Sequence, residues 1–173
     1  AAMEAGLTIV PGINKIDLSN ARGDEVLYEI EHSLSIESTD VLLVCAKTGI
    51  GITELLDAVV DRIPAPKGSP DEPLQAMVFD AHYDDYRGAV TYVRLMNGVV
   101  RKGQKIRFLK GGSTYEVLEL GQFIPGQRPC DELSVGQVGY LICNIKSLDQ
   151  VHIGDTVSIP GNEAAEALPG YKL

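Results

Sequence analysis

Tryptophan is absent from this 173-residue chain, and three Phe and seven Tyr supply all of its phenyl surface. Cysteine is equally scarce. Cys45, Cys130 and Cys143 are odd in number, far apart and without a Cys-x-x-Cys pair. That excludes a disulfide scaffold and a cysteine zinc site, and predicts free, buried thiols in a reducing compartment. His32, His82 and His152 are scattered, which predicts surface or structural roles and no metal centre. The apolar run VLLVCA (41–46) has six residues, against the roughly 20 that a membrane helix needs. No secretory signal pattern is visible. The opening AAMEAG does not start with Met and reads as the tail of a helix, so the chain is expected to be cut from something longer. Also missing is a phosphate cradle, Gly-x-x-x-x-Gly-Lys-Ser/Thr. Lys110-Gly111-Gly112-Ser113 has these residue types in the wrong order. No Asp-x-x-Gly able to hold Mg²⁺ follows a predicted strand. There is no internal repeat and no low-complexity tract.

What remains is ordinary globular composition, 45% hydrophobic and 23% charged, long enough for one domain or two small ones. The net charge of −9 argues against nucleic-acid binding until its distribution is considered. Between Asp85 and Glu116 there is no acid. Arg87, Arg94, Arg101, Lys102, Lys105, Arg107 and Lys110 fall in that stretch, seven of the fifteen bases.

Two halves differ in pattern. LTIVPGI (7–13) and VLLVCA (41–46) are short continuous apolar runs, as in strands covered on both faces. Between them, Val26, Leu27, Ile30 and Leu34 make one helical stripe. Leu55, Leu56, Val59, Val60 and Ile63 make another, which must stop before Pro64. Strand-helix-strand-helix predicts a parallel sheet with right-handed crossovers, an α/β arrangement. PAPKGSPDEP (64–73) reads as a linker. Beyond it, AVTYVRLM (89–96) runs into Asn97-Gly98, a strong hairpin signal. KIRFLK (105–110), STYEVLEL after Gly111-Gly112, VGQVGYLICNI (135–145) and DTVSI (155–159) supply further strands. About six strands with tight turns and no helix predict a small all-β barrel.

In open parallel sheets, ligands sit outside the carboxyl ends of strands. Two such ends carry chemistry here, Asn14-Lys15-Ile16-Asp17 and Cys45-Ala46-Lys47. A carboxylate at Asp17 can accept two parallel hydrogen bonds, matching the N1–H and N2 amine of guanine. Adenine presents an acceptor there and has no N2 amine. Discrimination built on such partners reaches roughly 10⁴-fold. Asn14 adds an amide that both donates and accepts. The stems of Lys15 and Lys47 can cover the faces of a flat base. The Ala46 N–H is expected to be available for the purine O6. Asn and Asp after a strand are also common turn and cap residues. The second loop, one helix later, makes the pattern specific.

These motifs resemble the NKxD and SAK guanine-specificity elements of GTPases. GVVRKGQKI (98–106) is similar to a turn in the second domain of translational GTPases. NKIDL, AKTGIGI, RIPAPKGSPDEPLQA, FDAHYDDYRGAV, DELSVGQVGYLICNIK, GDT and LPGYK resemble the LepA, or elongation factor 4, family over almost the whole chain. The resemblance implies the C-terminal portion of a P-loop GTP-binding domain (1–66), the β-barrel second domain (67–160) and the start of a following domain (161–173). It implies a ribosome-associated factor that hydrolyses GTP and acts on tRNA movement in elongation, with ribosomal RNA and tRNA as partners and no DNA. The implied setting is the bacterial cytoplasm, with weak peripheral association at the cytoplasmic face of the inner membrane. Asn14, Lys15, Asp17, Cys45, Ala46 and Lys47 would hold the guanine of GTP or GDP. The phosphate and Mg²⁺ elements would precede residue 1, so this chain alone is expected to lack catalytic residues and a metal site, and to be inactive. Two departures stand out: Cys45 replaces the usual Ser, a weaker hydrogen-bonding partner, and Gly12 replaces a common Val.

For the barrel, Arg101, Lys102, Lys105 and Arg107 surround one turn and could contact RNA phosphates. Arg87, with Tyr83 and Tyr86, forms a second candidate cluster. Solvated charges that protect sheet edges are the plain alternative. Other readings are a sibling translational GTPase, of the TypA type or elongation factor G, and a non-enzymatic barrel that binds RNA or the ribosome. A dinucleotide fold is disfavoured, because Gly49-Ile50-Gly51-Ile52 has the wrong glycine spacing.

Overall fold

A computed structural model describes residues 2–4, 6–161 and 166–169. The chain divides into two compact units, with the boundary between Ala65 and Pro66.

In the first unit, strand β1 (Gly12–Ile13) is followed by helix α1 (Gly23–Leu34), strand β2 (Leu42–Leu43) and helix α2 (Ile52–Arg62). The strands pair in parallel, Gly12 opposite Leu42 and Ile13 opposite Leu43. A parallel pair needs a crossover helix, and α1 is that crossover. The apolar runs predicted longer strands, but pairing covers only two residues of each. The helices end as their sequences dictate. Ser35 adopts a left-handed φ of 53° and donates its N–H to the Glu31 carbonyl. The α2 helix stops at Arg62, ahead of Pro64. Burial is slight: Val41, Val44, Cys45 and Ala58 are the buried apolar residues of this unit among those described. The predicted apolar stripe of α2 is largely uncovered, with Val60 77% exposed.

The second unit is all β. Eight strands form one antiparallel sheet in the order β7-β6-β12-β3-β4-β11-β8-β9. They span Gln75–Asp84 (β3), Gly88–Asn97 (β4), Lys105–Phe108 (β6), Thr114–Glu116 (β7), Glu119–Phe123 (β8), Gln127–Cys130 (β9), Val138–Ile142 (β11) and Thr156–Ser158 (β12). Two further strands, β5 (Val99–Arg101) and β10 (Glu132–Ser134), pair with each other. The sheet curls around one core that takes Val78 from β3, Val93 and Leu95 from β4, Phe108 from β6, Leu120 from β8 and Leu141 from β11. Alternation drives this: in KIRF, Ile106 and Phe108 are buried while Lys105 and Arg107 face out.

Two expectations are corrected here. Asn97-Gly98 does not close a hairpin between its flanking strands. β4 pairs with β3 and β11, while β5 leaves to pair with β10. The reason is a crossing segment. A Cβ on Gly98 would come within 2.7 Å of the Leu74 Cα and 2.8 Å of the Glu72 carbonyl oxygen. The glycine is required by that approach as well as by its φ of 74°. Likewise, 64–73 is not a free linker throughout. From Pro66 on it belongs to the barrel unit, and the Ser69 carbonyl accepts the Gly98 N–H at 2.8 Å. The expected following domain at 161–173 falls largely outside the described residues.

Candidate functional site

Because β1 and β2 are parallel and in register, their carboxyl ends open on the same edge. The Leu42 N–H donates to Pro11 O (3.0 Å) and the Val44 N–H to Ile13 O (2.8 Å). Asn14-Lys15-Ile16-Asp17 and Cys45-Ala46-Lys47 are thereby neighbours. One side chain joins them. Asn14 Oδ1 accepts the Ala46 N–H at 3.1 Å and the Lys15 N–H at 2.7 Å. Lys15 holds a left-handed φ of 67°, uncommon for a residue with a Cβ. The Leu18 N–H then returns to Lys15 O at 3.2 Å, which places Ile16 and Asp17 at the crest of a turn.

The second loop is fixed from below. Cys45 is buried, and its backbone N–H donates to Ile50 O while its carbonyl accepts the Gly49 N–H, both at 2.8 Å. Its thiol makes no hydrogen bond among the described residues. Ala46 and Lys47 are exposed on this pinned loop. Asp17 and Lys47 make no hydrogen bond or ion pair with any described residue, so their charged ends are free. The Ala46 N–H, in contrast, is already engaged by Asn14. A purine O6 would have to share or displace that bond. The sequence carried no signal for this, because the bond spans two loops 32 positions apart. Beside these loops lies a cavity of about 390 Å³, bounded by Ile13, Asn14, Lys15 and Ile16 on one side and Val26 and Leu27 of α1 on the other. Asp17, Ala46 and Lys47 do not line it.

The barrel cations separate into two kinds. Arg87 is spent internally. Its Nε and Nη2 donate to Asp84 Oδ2 at 3.1 and 3.0 Å, and its Nη1 donates to Gln127 Oε1 at 3.0 Å. The N–H groups of Tyr86 and Arg87 cap Asp84 Oδ1. These backbone bonds, and then the guanidinium, hold the Asp84 carboxyl below its ordinary range. Asp85-Tyr86-Arg87-Gly88 has the Asp-x-x-Gly spacing and follows strand β3. It is a hairpin turn between two barrel strands. Tyr86 at its tip is 99% exposed.

Arg101 pairs with Glu132 at 3.0 Å. Lys102, Lys105 and Arg107 have no side-chain partner among the described residues. Lys102 sits in the turn after β5, and Lys105 and Arg107 lie on the outer face of β6. The described residues contain no cluster of ligating side chains suited to a metal ion. No described helix is long and apolar enough to cross a membrane.

Known proteins are similar to this chain in sequence and in fold. A family model described as elongation factor Tu domain 2 matches residues 88–158. The chain is 64% identical over 171 residues to elongation factor 4 1 of Rhodopirellula baltica, covering 99% of this chain and 28% of that protein. It is 44% identical to elongation factor 4 of Bacillus subtilis over the same share of each. Over 99% of its length the chain is similar to elongation factor 4 proteins, and it spans 28% of the length of these relatives.

Solved structures agree on the fold. Translation elongation factor SelB from Methanococcus maripaludis, in its apo form, superposes with a TM-score of 0.75 over 91% of this chain and 35% of that one, at 16% identity. A bacterial selenocysteine-specific elongation factor gives 0.65 over 86% of this chain and 26% of that one, at 18% identity. Against these relatives the α/β-plus-barrel architecture holds.

Proposed function

We propose that residues 1–66 are the guanine-reading end of a GTP-binding domain, that 67–160 are the second domain of the same protein, and that 161–173 begin a third. The whole protein is read as a ribosome-associated GTPase that hydrolyses GTP to GDP and phosphate and acts on tRNA movement in elongation, in the bacterial cytoplasm. Ribosomal RNA and tRNA are its partners; membrane association rests on the family resemblance alone. The observation that carries this reading is the Asn14–Ala46 bond across two parallel, in-register strand ends. It supports one site made of both motifs. In it, Asp17 reads the N1–H and N2 amine of guanine, the stems of Lys15 and Lys47 flank the base, and Asn14 Nδ2 remains free to donate. Bound Mg²⁺ and phosphate would be held by residues outside this chain, so the chain alone is proposed to bind GDP weakly and not to hydrolyse GTP.

Titration of fluorescent GDP and ADP into the chain tests this. Guanine-selective binding that disappears in Asp17→Asn supports it. Equal binding of both nucleotides, or of neither, rejects it.

A second reading concerns the barrel: Lys102, Lys105 and Arg107 are free cations around one turn and suit RNA phosphates. It predicts salt-dependent binding to ribosomal RNA fragments with or without nucleotide.

A further inference from the structure

Asn97-Gly98 reads as a hairpin and forms none, yet its amide has two partners, one of which leads on to a third residue. Asn97 Oδ1 accepts the Ser69 N–H at 3.1 Å. Asn97 Nδ2 donates to Gln75 Oε1 at 2.9 Å. Gln75 Nε2 in turn donates to the Glu166 carbonyl at 2.7 Å. Both primary amides are thus used at both ends, and the donors all run in one direction. Ser69 lies in the segment that leads into the barrel, and Glu166 lies in the segment that leaves it. The incoming segment is seated closely as well. A Cβ on Gly68 would meet Asn97 Oδ1 at 2.7 Å, and one on Gly136 would meet the Pro66 ring at 2.9 Å. The outgoing segment has a second anchor, with the Leu168 N–H donating to Thr156 Oγ1 at 2.8 Å.

We infer that Asn97 and Gln75 form a relay that couples the two connections of the barrel, so that release of either segment loosens the other. The chemistry permits this because a primary amide has a fixed polarity. If Asn97 no longer donates to Gln75, the Gln75 amide loses the contact that keeps its own Nε2 turned toward Glu166. A chain of polarised amides gains from being complete and loses more than one contact when cut.

Amide hydrogen exchange on the full chain tests the coupling. In Asn97→Asp, the Ser69 N–H keeps its acceptor, but the carboxylate repels Gln75 Oε1 and attracts Nε2, so Gln75 turns away from Glu166. Exchange at Leu168 should then rise roughly five-fold or more while Ser69 stays protected. In Gln75→Ala, exchange at Ser69 should rise as well as at Leu168, although residue 75 does not touch Ser69. The Val93 amide, inside β4, serves as the global reference and should not change. The inference is overturned if Leu168 is unmoved in Asn97→Asp, if Ser69 is unmoved in Gln75→Ala, or if Val93 rises equally in both variants. That last result would leave these side chains with a role in barrel stability only.

Discussion

Asn14 and Ala46 lie 32 positions apart and are joined by a 3.1 Å hydrogen bond from the alanine N–H to the asparagine side chain. No other described side-chain hydrogen bond ties the loop after β1 to the loop after β2. It makes a single surface of two strand ends that pair over only two residues each.

Removing it has a defined consequence. In Asn14→Ala, the N–H groups of Ala46 and Lys15 lose their acceptor, and each such bond contributes about 1 kcal/mol net. Amide exchange at Ala46 should accelerate. GDP affinity should fall without a gain in ADP binding, since in the proposed site the base preference rests on Asp17. Asp17→Asn should do the reverse, leaving Ala46 exchange unchanged and removing the preference for guanine. Fluorescence titration and exchange on the same variants distinguish the two roles.

The free cations should act through salt. Lys105→Ala and Arg107→Ala should each lower the slope of log K against log[salt] for binding to a ribosomal RNA fragment by about one. Arg87→Ala should leave that slope alone and lower the melting temperature of the barrel, because its guanidinium is committed to Asp84 and Gln127. A slope change in Arg87→Ala larger than in Lys105→Ala would contradict this division.

Asp155 should be the most costly single acid to remove from the barrel. It is 2% exposed and accepts the N–H groups of Lys110 (2.9 Å), Gly111 (3.2 Å) and Thr156 (2.6 Å). Bonds to a charged acceptor contribute about 1.5–3 kcal/mol, and three backbone N–H groups, the buried Thr156 one among them, would lose their acceptor together. Asp155→Ala should destabilise the barrel by roughly 3 kcal/mol or more in urea unfolding. Glu116→Ala, on an exposed strand position, should change it little.

Tyr140 makes the barrel sensitive to alkali. Burial raises its hydroxyl to about 12, and donation to Glu119 Oε1 at 3.0 Å adds to the shift. The folded value lies above the ordinary 10, so the unfolded chain loses the proton first as pH rises. The associated stability is complete below pH 10 and is lost between 10 and about 12. Absorbance titration should show one tyrosine ionising late. Tyr140→Phe should remove that step and flatten the pH dependence of unfolding in this window.

Much of the fold was legible because its signals are local. Two helical stripes, the second ending before Pro64, two continuous apolar runs, and alternation in KIRF all act within a few residues. β3 was missed for a physical reason. Its pairing with β4 shifts register between Val78 and Asp80, and this bulge breaks the period of two in QAMVFDAHYD. The short β9 and β10 are edge pieces, and Pro129 in QRPC argues against a strand until its partner is known. At the candidate site, the residue types in NKID and CAK were readable. The engagement of the Ala46 N–H by Asn14 was not, since nothing near Ala46 in sequence announces its acceptor.

Taken alone, the amino-acid sequence determined the element types, the change from α/β to all-β near Ala65, and the two polar strand ends, since each depends on periodicity and turn chemistry within a single segment. Only the tertiary structure decided which cations are free, where Asn97 spends its amide, and that the incoming segment crosses close over Gly98. Those outcomes depend on which distant groups come within hydrogen-bonding reach, and a strand's neighbours are chosen by the packing of the whole core.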